Sequence, residues 1–536
     1  MARLDQLGSA KFIAQVAGAI GREFSYELLE AVALLPSVRL RAGLQVLEQS
    51  GLVYAEPRLP VESYVFKHAL VQEAAYQSLL RSRRRELHQR IAEALESRFP
   101  QTVRDAPELL AHHWTEAGAA EQAVASWLSA GQRASERSEY REAIGHLRRG
   151  LDLISRLSDA EEQRNRELAL LLALGPALIV ADGAGTPEVG RVYTRALELC
   201  SALPESPPHF VAHWGWWRVS MDHRMGRERA DKLLVLANNI GDQSLLVQAH
   251  HSQWATLYML GAHQECCRHI QAGLQLYDPD QHHGHAALYG GHDARVCGLG
   301  ERALARWMLG HAEDALSHAQ SAQAWAREVR HVGSQAHAMD YAVVLHKFRR
   351  DVGAVYECAE KLVSYAAEQK LRVHRAKSAF FRGWARSQLH DVGEGLREML
   401  AAIASEKTTD TPGDFTVYYE MIAETYGRVG RYDEGLRAVE EAFTQAARCG
   451  IVFWNAELHR RRGELLLRAG ESREAAFACF EEALACARAQ EALALELRAA
   501  VSLAQWYRDE GEAQMAQALL RPVLERFSEG FNTPDL

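Results

Sequence analysis

Histidines cluster in one stretch of the chain, where their spacing could bind a transition metal. The stretch contains His282, His283, His285 and His292, followed by Asp293. Imidazole and carboxylate groups at such spacing can coordinate Zn²⁺ or Ni²⁺. However, the stretch follows the Asp-Pro pair at 278–279 and reads as a connection, so it lacks the i,i+4 geometry of a helix-borne site. Without partners that orient the ligands, we expect no metal site here.

A second cluster is basic and consists of Arg81, Arg83, Arg84 and Arg85 at the start of a predicted helix. Such a cluster could contact the phosphates of DNA. The helix that would enter the groove, 38–50, offers only Arg39 and Arg41, and the following hairpin carries Glu56 and Glu62. The chain has 61 basic and 70 acidic residues, a net charge of -9. A solvated or domain-facing arginine surface is therefore the favoured interpretation, with DNA binding as the alternative.

No set of residues in the sequence indicates catalysis. Ser/His/Asp and Cys/His combinations do not stand out, and acidic residues are spread through amphipathic helices. The phosphate-loop pattern Gly-x-x-x-x-Gly-Lys-Ser/Thr is missing, and none of the eight lysines follows a glycine. A triphosphate needs that backbone cradle and its lysine. We therefore predict that the chain is not an enzyme and has no cofactor.

The composition indicates a helical protein of several cores. Among 536 residues, 48% are hydrophobic, 24% are charged and only 14 are prolines. This mixture favours helix almost throughout. The eight cysteines form no Cys-x-x-Cys pair, which favours buried reduced thiols over disulfides. The N-terminus does not look like a signal peptide and no apolar run reaches about 18 residues, so we expect a cytoplasmic protein.

The first hundred residues differ in pattern from the rest. Helical patterns cover 7–20, 26–35 and 38–50, and two β-type runs follow at 52–55 and 63–67. Helices are predicted again over 68–80 and 83–99. Three helices followed by a β-hairpin is the order of a winged-helix module.

From Pro107 onward the sequence repeats as helix pairs. Helical patterns of about 14–18 residues alternate with short breaks, which is typical of tetratricopeptide (TPR) repeats. In such a repeat, small residues let two helices approach and large residues fill the space between them. Six segments match this pattern, with looser repeats between 153 and 249. The matching residues are Trp127, Gly131, Ala143 and Gly150; Trp254, Gly261 and Gly273; Gly310, Ala315 and Ala322; Tyr419, Ala423, Gly430 and Ala442; Gly463, Gly470, Ala476 and Ala483; and Ala504, Gly511 and Ala516.

Stacked helix pairs create a concave groove, lined by the first helix of each pair, where peptides or partner helices dock. We expect the groove positions of the best-aligned repeats to be exposed and to bind a protein or peptide. They are Glu420, Glu424, Arg460, Glu464, Arg498, Gln505 and Arg508. The alternative is that they are merely solvated helix residues.

Several segments together resemble one bacterial family across essentially the whole chain. They are Gly21-Arg-Glu-Phe-Ser-Tyr-Glu-Leu-Leu29, Phe66-Lys-His-Ala-Leu-Val-Gln-Glu-Ala-Ala-Tyr76, Leu80-Arg-Ser-Arg-Arg-Arg-Glu-Leu-His88, Tyr277-Asp-Pro-Asp-Gln-His282, Leu288-Tyr-Gly290 and Glu529-Gly-Phe-Asn-Thr-Pro-Asp-Leu536. The chain is similar to the C-terminal half of bacterial signal-transduction (STAND/AAA-type) ATPases, many of which carry a class III adenylate/guanylate cyclase domain. The resemblance implies a winged helix followed by helical repeats. The ATPase and cyclase parts of that family are missing here.

The sequence thus predicts an all-α protein, a right-handed TPR-like solenoid preceded by a small winged-helix module with one β-hairpin. The predicted divisions are a winged-helix-like module at 1–100, first TPR-like helices at 101–160, a degenerate solenoid at 161–405 and C-terminal repeats at 406–536. The predicted function is a non-catalytic scaffold for protein interaction and signal sensing. The alternatives are a DNA-associated regulator, and a regulatory fragment acting on a separately encoded ATPase or cyclase. We expect no membrane partner.

Overall fold

The computed structural model describes residues 8, 10–58, 61–201, 204–220, 222–282, 284–406 and 415–536. The chain divides into two compact units, Met1–Leu174 and Gly175–Leu536, which we call the N-terminal unit and the C-terminal unit. The division falls inside one long helix, and the boundaries predicted from sequence are finer than this division. In the described part of the chain, every helix is too short or too polar to cross a membrane.

The N-terminal unit is mostly helical. Its elements are α1 (Ala10–Ile20), β1 (Glu23–Ser25), α2 (Tyr26–Ala33), α3 (Ser37–Gln49), β2 (Val53–Arg58), β3 (Val61–Phe66), α4 (Ala69–Gln77), α5 (Arg81–Arg98), α6 (Pro100–Asp105), α7 (Pro107–Ala117), α8 (Ala120–Glu136), α9 (Tyr140–Leu151) and α10 (Ala160–Asp182), which continues into the C-terminal unit.

The strands of the N-terminal unit form one small antiparallel sheet in the order β1-β3-β2. Phe24 pairs with Tyr64, and Val53 pairs with Phe66. These side chains are buried, and the ring of Phe24 contacts both Tyr64 and Phe66. The predicted order of three helices followed by a hairpin is confirmed. The three-residue strand β1 was not predicted, because its length gives no periodicity to detect.

The C-terminal unit consists of helices. They are α11 (Pro187–Cys200), α12 (Pro207–Arg218), α13 (His223–Ile240), α14 (Gln243–Met259), α15 (His263–Leu276), α16 (Pro279–His282), α17 (His285–Leu288), α18 (Ala294–Met308), α19 (Ala312–Val329), α20 (Val332–Phe348), α21 (Val352–Glu368), α22 (Arg372–Leu389), α23 (Val392–Glu406), α24 (Phe415–Arg428), α25 (Tyr432–Cys449), α26 (Asn455–Ala469), α27 (Arg473–Ala489), α28 (Leu493–Asp509) and α29 (Ala513–Leu524).

Local sequence signals set where many of these helices begin and end. The Asp242 carboxylate accepts the Ser244 N–H at the start of α14, and the Asp351 carboxylate accepts the Ala354 N–H at the start of α21. Such caps satisfy backbone donors that have no partner within the helix. Gly450 ends α25 in the left-handed conformation, with a φ of 64°, which glycine adopts without strain.

Glycines at the predicted small positions allow paired helices to approach. A Cβ added at Gly131 would lie 2.4 Å from Leu147, and one at Gly463 would lie 2.6 Å from Phe480. Both distances are shorter than real carbon contacts, so a side chain would force the helices apart. Helix pairs packed in this way make up the greater part of the chain. The TPR-like helical-repeat fold class is therefore confirmed.

Distant parts of the C-terminal unit meet, so that its repeats surround an interior. The N–H groups of Val452 and Phe453 donate to the Met259 carbonyl at 3.0 and 3.3 Å. The rings of Tyr258 and Phe453 lie 4.9 Å apart, and Gln490 Nε2 donates to the Val452 carbonyl at 2.7 Å. The connection between α25 and α26 thereby packs against the end of α14.

The last residues fold back onto the C-terminal unit. The Glu529 carboxylate accepts the N–H groups of Glu313 and Asp314, the first turn of α19. The Asp535 carboxylate lies 2.7 Å from Arg498 and 3.0 Å from Arg350. This segment caps one helix and supplies a carboxylate to Arg498 of α28 and to Arg350 in the turn between α20 and α21.

The tightest helix contact leads to a stability prediction. A Cβ added at Gly215 in α12 would lie 1.8 Å from the fully buried Tyr193 ring. Overpacking a core typically costs about 1–3 kcal/mol, so Gly215→Ala should lower the free energy of unfolding by at least that amount. Gly190 in α11 has open space around its Cβ position. Gly190→Ala should stabilise by roughly 0.5–1 kcal/mol, and urea denaturation of both variants measures the difference. Equal effects would contradict the packing argument.

Candidate functional site

The C-terminal unit contains a cavity of about 310 Å³. All of its lining residues belong to this unit. Aromatic and aliphatic side chains alternate in the wall with ten polar residues, and a mixed wall of this kind can bind a ligand and orient it. The polar lining residues are Arg218, Ser220, His223, His292, Glu301, His337, Asp340, Tyr341, His374 and Lys377.

Arg218 ends α12, lines this cavity and is half-buried. Among the described residues, no carboxylate forms an ion pair with it. Burial lowers the pKa of Arg218 from the ordinary arginine value. The ionisable side chains that oppose this effect are weak acids, namely Cys297, Tyr341 and Tyr193. A guanidinium stays protonated in proteins. The cavity therefore carries a positive charge that the described residues leave without a matching carboxylate.

The acidic groups of the cavity, in contrast, already have partners. Asp340 Oδ2 lies 2.5 Å from His374 Nδ1. Burial alone would raise the pKa of Asp340, but the facing His374 and Lys377 lower it. The hydroxyl of Tyr341 donates to Glu301. Both carboxylates are thus engaged within the wall of the cavity.

Three histidines and one cysteine at or beside the cavity are neutral near pH 7. Burial, together with nearby positive groups, lowers the pKa of His251 to about 3, and burial likewise lowers that of His337 to about 3. Burial lowers the pKa of His292 well below its ordinary value. Burial raises the pKa of the Cys297 thiol to about 12, so no thiolate forms at neutral pH. The rings of His292 and His337 stack with centroids 4.1 Å apart.

Three groups among the described residues bring metal-ligating atoms together. They are His88, His112 and His113; His251, His292 and Cys297; and His459, Glu482 and Cys486. The second group borders the cavity. Arg218 acts electrostatically on all three of its members, which opposes the binding of a cation there.

The predicted groove residues occupy different environments from those expected. Glu420, Arg460 and Arg498 are buried, so the expectation that they are exposed is wrong. Glu424 and Glu464 are half-buried, whereas Gln505 and Arg508 are exposed. The reason for the burial is that the inner face of the repeats packs against other helices of the same unit. The role of these residues in partner binding stays a prediction.

The buried members of this set form a network of ion pairs. The Glu420 carboxylate lies 3.2 Å from Lys347 Nζ in α20 and 2.8 Å from Arg461 Nη2 in α26. Arg460 contacts both carboxylate oxygens of Glu457, at 2.6 and 2.8 Å. Each buried charge in this network has an opposite charge beside it, as burial requires.

The histidine-rich stretch does not converge on one point. His282 accepts the Asp278 N–H at 2.8 Å, and its other ring nitrogen lies 3.0 Å from the Ser244 hydroxyl. Asp293 caps α18 by accepting the N–H groups of Arg295 and Val296. His292 instead faces His251, and His283 lies outside the described residues.

The four arginines at the start of α5 are not equivalent. Arg81, Arg83 and Arg85 are exposed. Arg84 is half-buried and donates to the carbonyls of Gln77 and Leu79. Arg41 in α3 pairs with Glu62 at 3.3 Å, which offsets one of the two basic groups of that helix.

Sequence reasoning missed Arg218 and the polar groups opposite it. In the aromatic run at 213–217, Trp214 and Trp217 are buried and Trp216 is half-buried. Arg218 directly follows this run, so an arginine within an aromatic helix was the available signal. Asp340, Tyr341 and His374 carry no such signal, because folding alone brings them to the cavity.

No family model matches the chain. An uncharacterized protein of Rhizobium meliloti (strain 1021) is 31% identical over 507 residues, which cover 94% of this chain and 49% of that protein. The chain therefore spans about half the length of the curated relative it matches.

Several solved structures are similar in fold. A Rap protein complexed with competence and sporulation factor covers 67% of this chain and 97% of its own length, with a TM-score of 0.46 and 12% identity. A STAND protein with a tetratricopeptide repeat sensor from Pyrococcus horikoshii covers 98% of this chain and 63% of its own length, with a TM-score of 0.29 and 11% identity. The likeness lies in the helical-repeat fold.

Breaking the buried network should destabilise the chain strongly. Glu420→Ala leaves Lys347 and Arg461 buried with one fewer carboxylate, and such a loss typically costs about 3–5 kcal/mol. The matched control is Glu440→Ala, because Glu440 pairs with Arg462 at 3.1 Å on the exposed surface. That variant should cost less than about 1 kcal/mol. Chemical denaturation compares the two variants. An equal loss of stability would show that the buried ion pairs stabilise the fold no more than an exposed ion pair does.

The same network predicts a dependence of stability on pH. Burial raises the pKa of Glu424, but Arg461 and Lys347 outweigh it and lower the pKa from 4.5 to about 2. A carboxylate with a depressed folded pKa stabilises above its unfolded pKa, and this stabilisation is lost as pH falls toward the folded value. The difference in unfolding free energy between wild type and Glu424→Gln should be constant above pH 5. It should shrink between about pH 4.5 and 2, and a difference that does not change with pH would contradict the pairing.

Proposed function

We propose that this chain is a non-catalytic, ligand-responsive scaffold that senses a small molecule in its C-terminal unit and acts on a protein partner. The observation that carries the proposal is the 310 Å³ cavity surrounded by the repeats. Its apolar wall with a few placed polar groups suits the capture of a ligand. Contacts such as that between Phe453 and Met259 hold distant helices around it, so an occupant would stabilise this closed arrangement.

The ionisation states of the cavity groups support a binding role over a catalytic one. General acid–base catalysis works best with groups whose pKa lies near the operating pH. His337 and His251, with pKa values of about 3, are weak bases, and the Cys297 thiol is protonated at neutral pH. The carboxylates of Glu301 and Asp340 are held by Tyr341 and His374.

The N-terminal unit offers a surface suited to a protein partner. Four large apolar side chains there are mostly exposed, and they are Leu34 (72%), Val38 (81%), Leu70 (83%) and Leu80 (74%). Large apolar side chains exposed together are typical of interaction sites, and we propose that these four contribute to one. The resemblance to signal-transduction ATPases and the twofold length of the Rhizobium relative favour a nucleotide-binding domain as the partner. In the form proposed here, that domain belongs to a separately encoded ATPase or cyclase.

A role in DNA binding is the less favoured alternative. Arg81, Arg83 and Arg85 are exposed and could contact phosphates. Yet Arg84 is engaged by backbone carbonyls, and Arg41 of α3 is paired with Glu62. Direct reading of bases would need free donors on α3, and this helix offers little beyond Arg39.

Filling the cavity should abolish the binding of a small apolar probe. Val373 in α22 is half-buried and lines the cavity, so Val373→Phe occupies space that a ligand needs. We expect N-phenyl-1-naphthylamine to bind the wild-type chain with enhanced fluorescence, and its affinity to fall roughly tenfold or more in this variant.

The matched control places the same side chain on the surface. Val429 is exposed in the turn after α24, and Val429→Phe should leave the probe affinity unchanged. If the wild-type chain does not bind the probe, or if both variants bind it as well as wild type does, the cavity is not a ligand site and the proposed function is wrong.

A further inference from the structure

We infer that the cavity of the C-terminal unit takes a small organic anion, with an apolar body and one anionic headgroup that binds the guanidinium of Arg218. The inference rests on the proposed function, because it names the class of ligand that the proposed sensor would capture. It is carried by the geometry of the cavity wall and by the distribution of charge around it.

The first step concerns the charge of Arg218. The buried basic side chains Lys347, Arg460, Arg461 and Arg498 of the same unit each lie beside a carboxylate. Arg218 lies within the described part of the chain and has no such ion pair there. Arg218 is half-buried at the cavity wall. A partly desolvated charge without an opposite charge is unfavourable, so a fold that retains one gains from an anion that arrives from outside. A guanidinium also binds carboxylate, sulfonate or phosphate oxygens through bidentate hydrogen bonds.

The second step concerns the remaining polar groups near the arginine. Ser220 and His223 line the same cavity and follow Arg218 closely in sequence. Burial, followed by the charge of Arg218, lowers the pKa of His223 to about 4, so its ring is neutral and offers one N–H donor at pH 7. A neutral imidazole is a suitable additional donor for anionic oxygens, whereas the Ser220 hydroxyl already donates to the Asp222 carbonyl at 3.0 Å.

The third step excludes the opposite ligand charge. A cationic group would need an available carboxylate, but Asp340 is held by His374 and Glu301 by Tyr341. A metal ion at His292 and its neighbours would meet the field of Arg218. The wall therefore favours a ligand that is negative at one end.

The fourth step concerns the body of the ligand. Most of the cavity wall consists of large apolar side chains, which favours an aromatic or aliphatic body over a sugar or nucleotide. Gly290 and Gly291 both have positive φ, and a Cβ added at Gly291 would lie 2.2 Å from Val180, so these glycines let the wall pack closely. The large apolar lining residues include Trp217, Tyr258, Leu304, Val344, Phe348, Phe381 and Phe453.

Two fluorescent probes that differ in a single group test this inference. They are 8-anilinonaphthalene-1-sulfonate and N-phenyl-1-naphthylamine, which share their apolar body, but only the first carries a sulfonate. Both are titrated into the full chain at pH 7, with far-UV circular dichroism as the check that each variant is folded. We expect the sulfonate probe to bind the wild-type chain at least about tenfold more tightly, as a charge-assisted hydrogen bond would give.

The variant Arg218→Gln separates the contribution of the anionic headgroup to probe affinity from that of the apolar body. It should lose at least about tenfold in affinity for the sulfonate probe and keep the affinity for the neutral probe. Arg218→Lys keeps the positive charge and should lie between wild type and Arg218→Gln. Arg224→Gln removes an exposed arginine that pairs with Asp222, and should change neither affinity.

The outcomes distinguish this inference from the function on which it rests. If Arg218→Gln weakens both probes equally, or neither, then Arg218 does not recognise an anion and the inference is overturned. The proposed function survives in that case, provided that Val373→Phe still abolishes binding of the neutral probe. If the neutral probe does not bind the cavity at all, then the proposed function itself fails.

Discussion

A charge buried inside a helical-repeat protein needs an opposite charge beside it, and this constraint organises the C-terminal unit. The inner faces of the late repeats carry Glu420, Glu457, Arg460 and Arg461, which would be solvated in an open solenoid. Here they lie buried and meet one another at hydrogen-bond distances. Helices that are far apart in sequence are thereby joined, and Asp535 of the final segment is drawn into the same network through Arg498.

The cavity exists because the same unit closes around an interior that side chains do not completely fill. Glycines permit close helix pairs, as at Gly463, and the closure at Met259 brings an early repeat against a late one. Protein interiors are otherwise close-packed, so a space of about 310 Å³ marks a departure from dense packing. The departure coincides with Arg218, a half-buried guanidinium that has no carboxylate partner among the described residues. Both exceptions point to the same site, and both would be resolved by one bound anion.

This arrangement suggests how ligand binding could reach a partner. An occupant would contact helices α12, α18, α20 and α22 at once, and would thus favour the arrangement in which they surround it. A ligand shifts a conformational equilibrium only through its different affinity for the two states. The charge on Arg218 supplies such a difference, since a bound anion offsets the unfavourable free energy of holding the unpaired guanidinium at the cavity.

The sequence predicted the features that depend on the local spacing of residues. It missed the features that arise when distant repeats of the C-terminal unit pack against one another. Gly131 and Gly463 were identified as positions that need a small residue, because such positions recur at a fixed spacing in each helix pair. The burial of Glu420 and Arg498 was not predicted, because these residues hold the same positions within a repeat whether the solenoid is open or closed. Arg218 and His374 lie far apart in sequence, and only long-range folding places both at one cavity.

The most direct test of this account is the thermal stability of Arg218→Met without any ligand. Replacing a half-buried charge that has no ion-pair partner by an apolar side chain of similar length should leave the melting temperature unchanged or raise it. A large fall in the melting temperature, comparable to that caused by breaking a paired buried charge, would contradict the account. It would show that the fold already satisfies the Arg218 guanidinium and leaves nothing for an anion to neutralise.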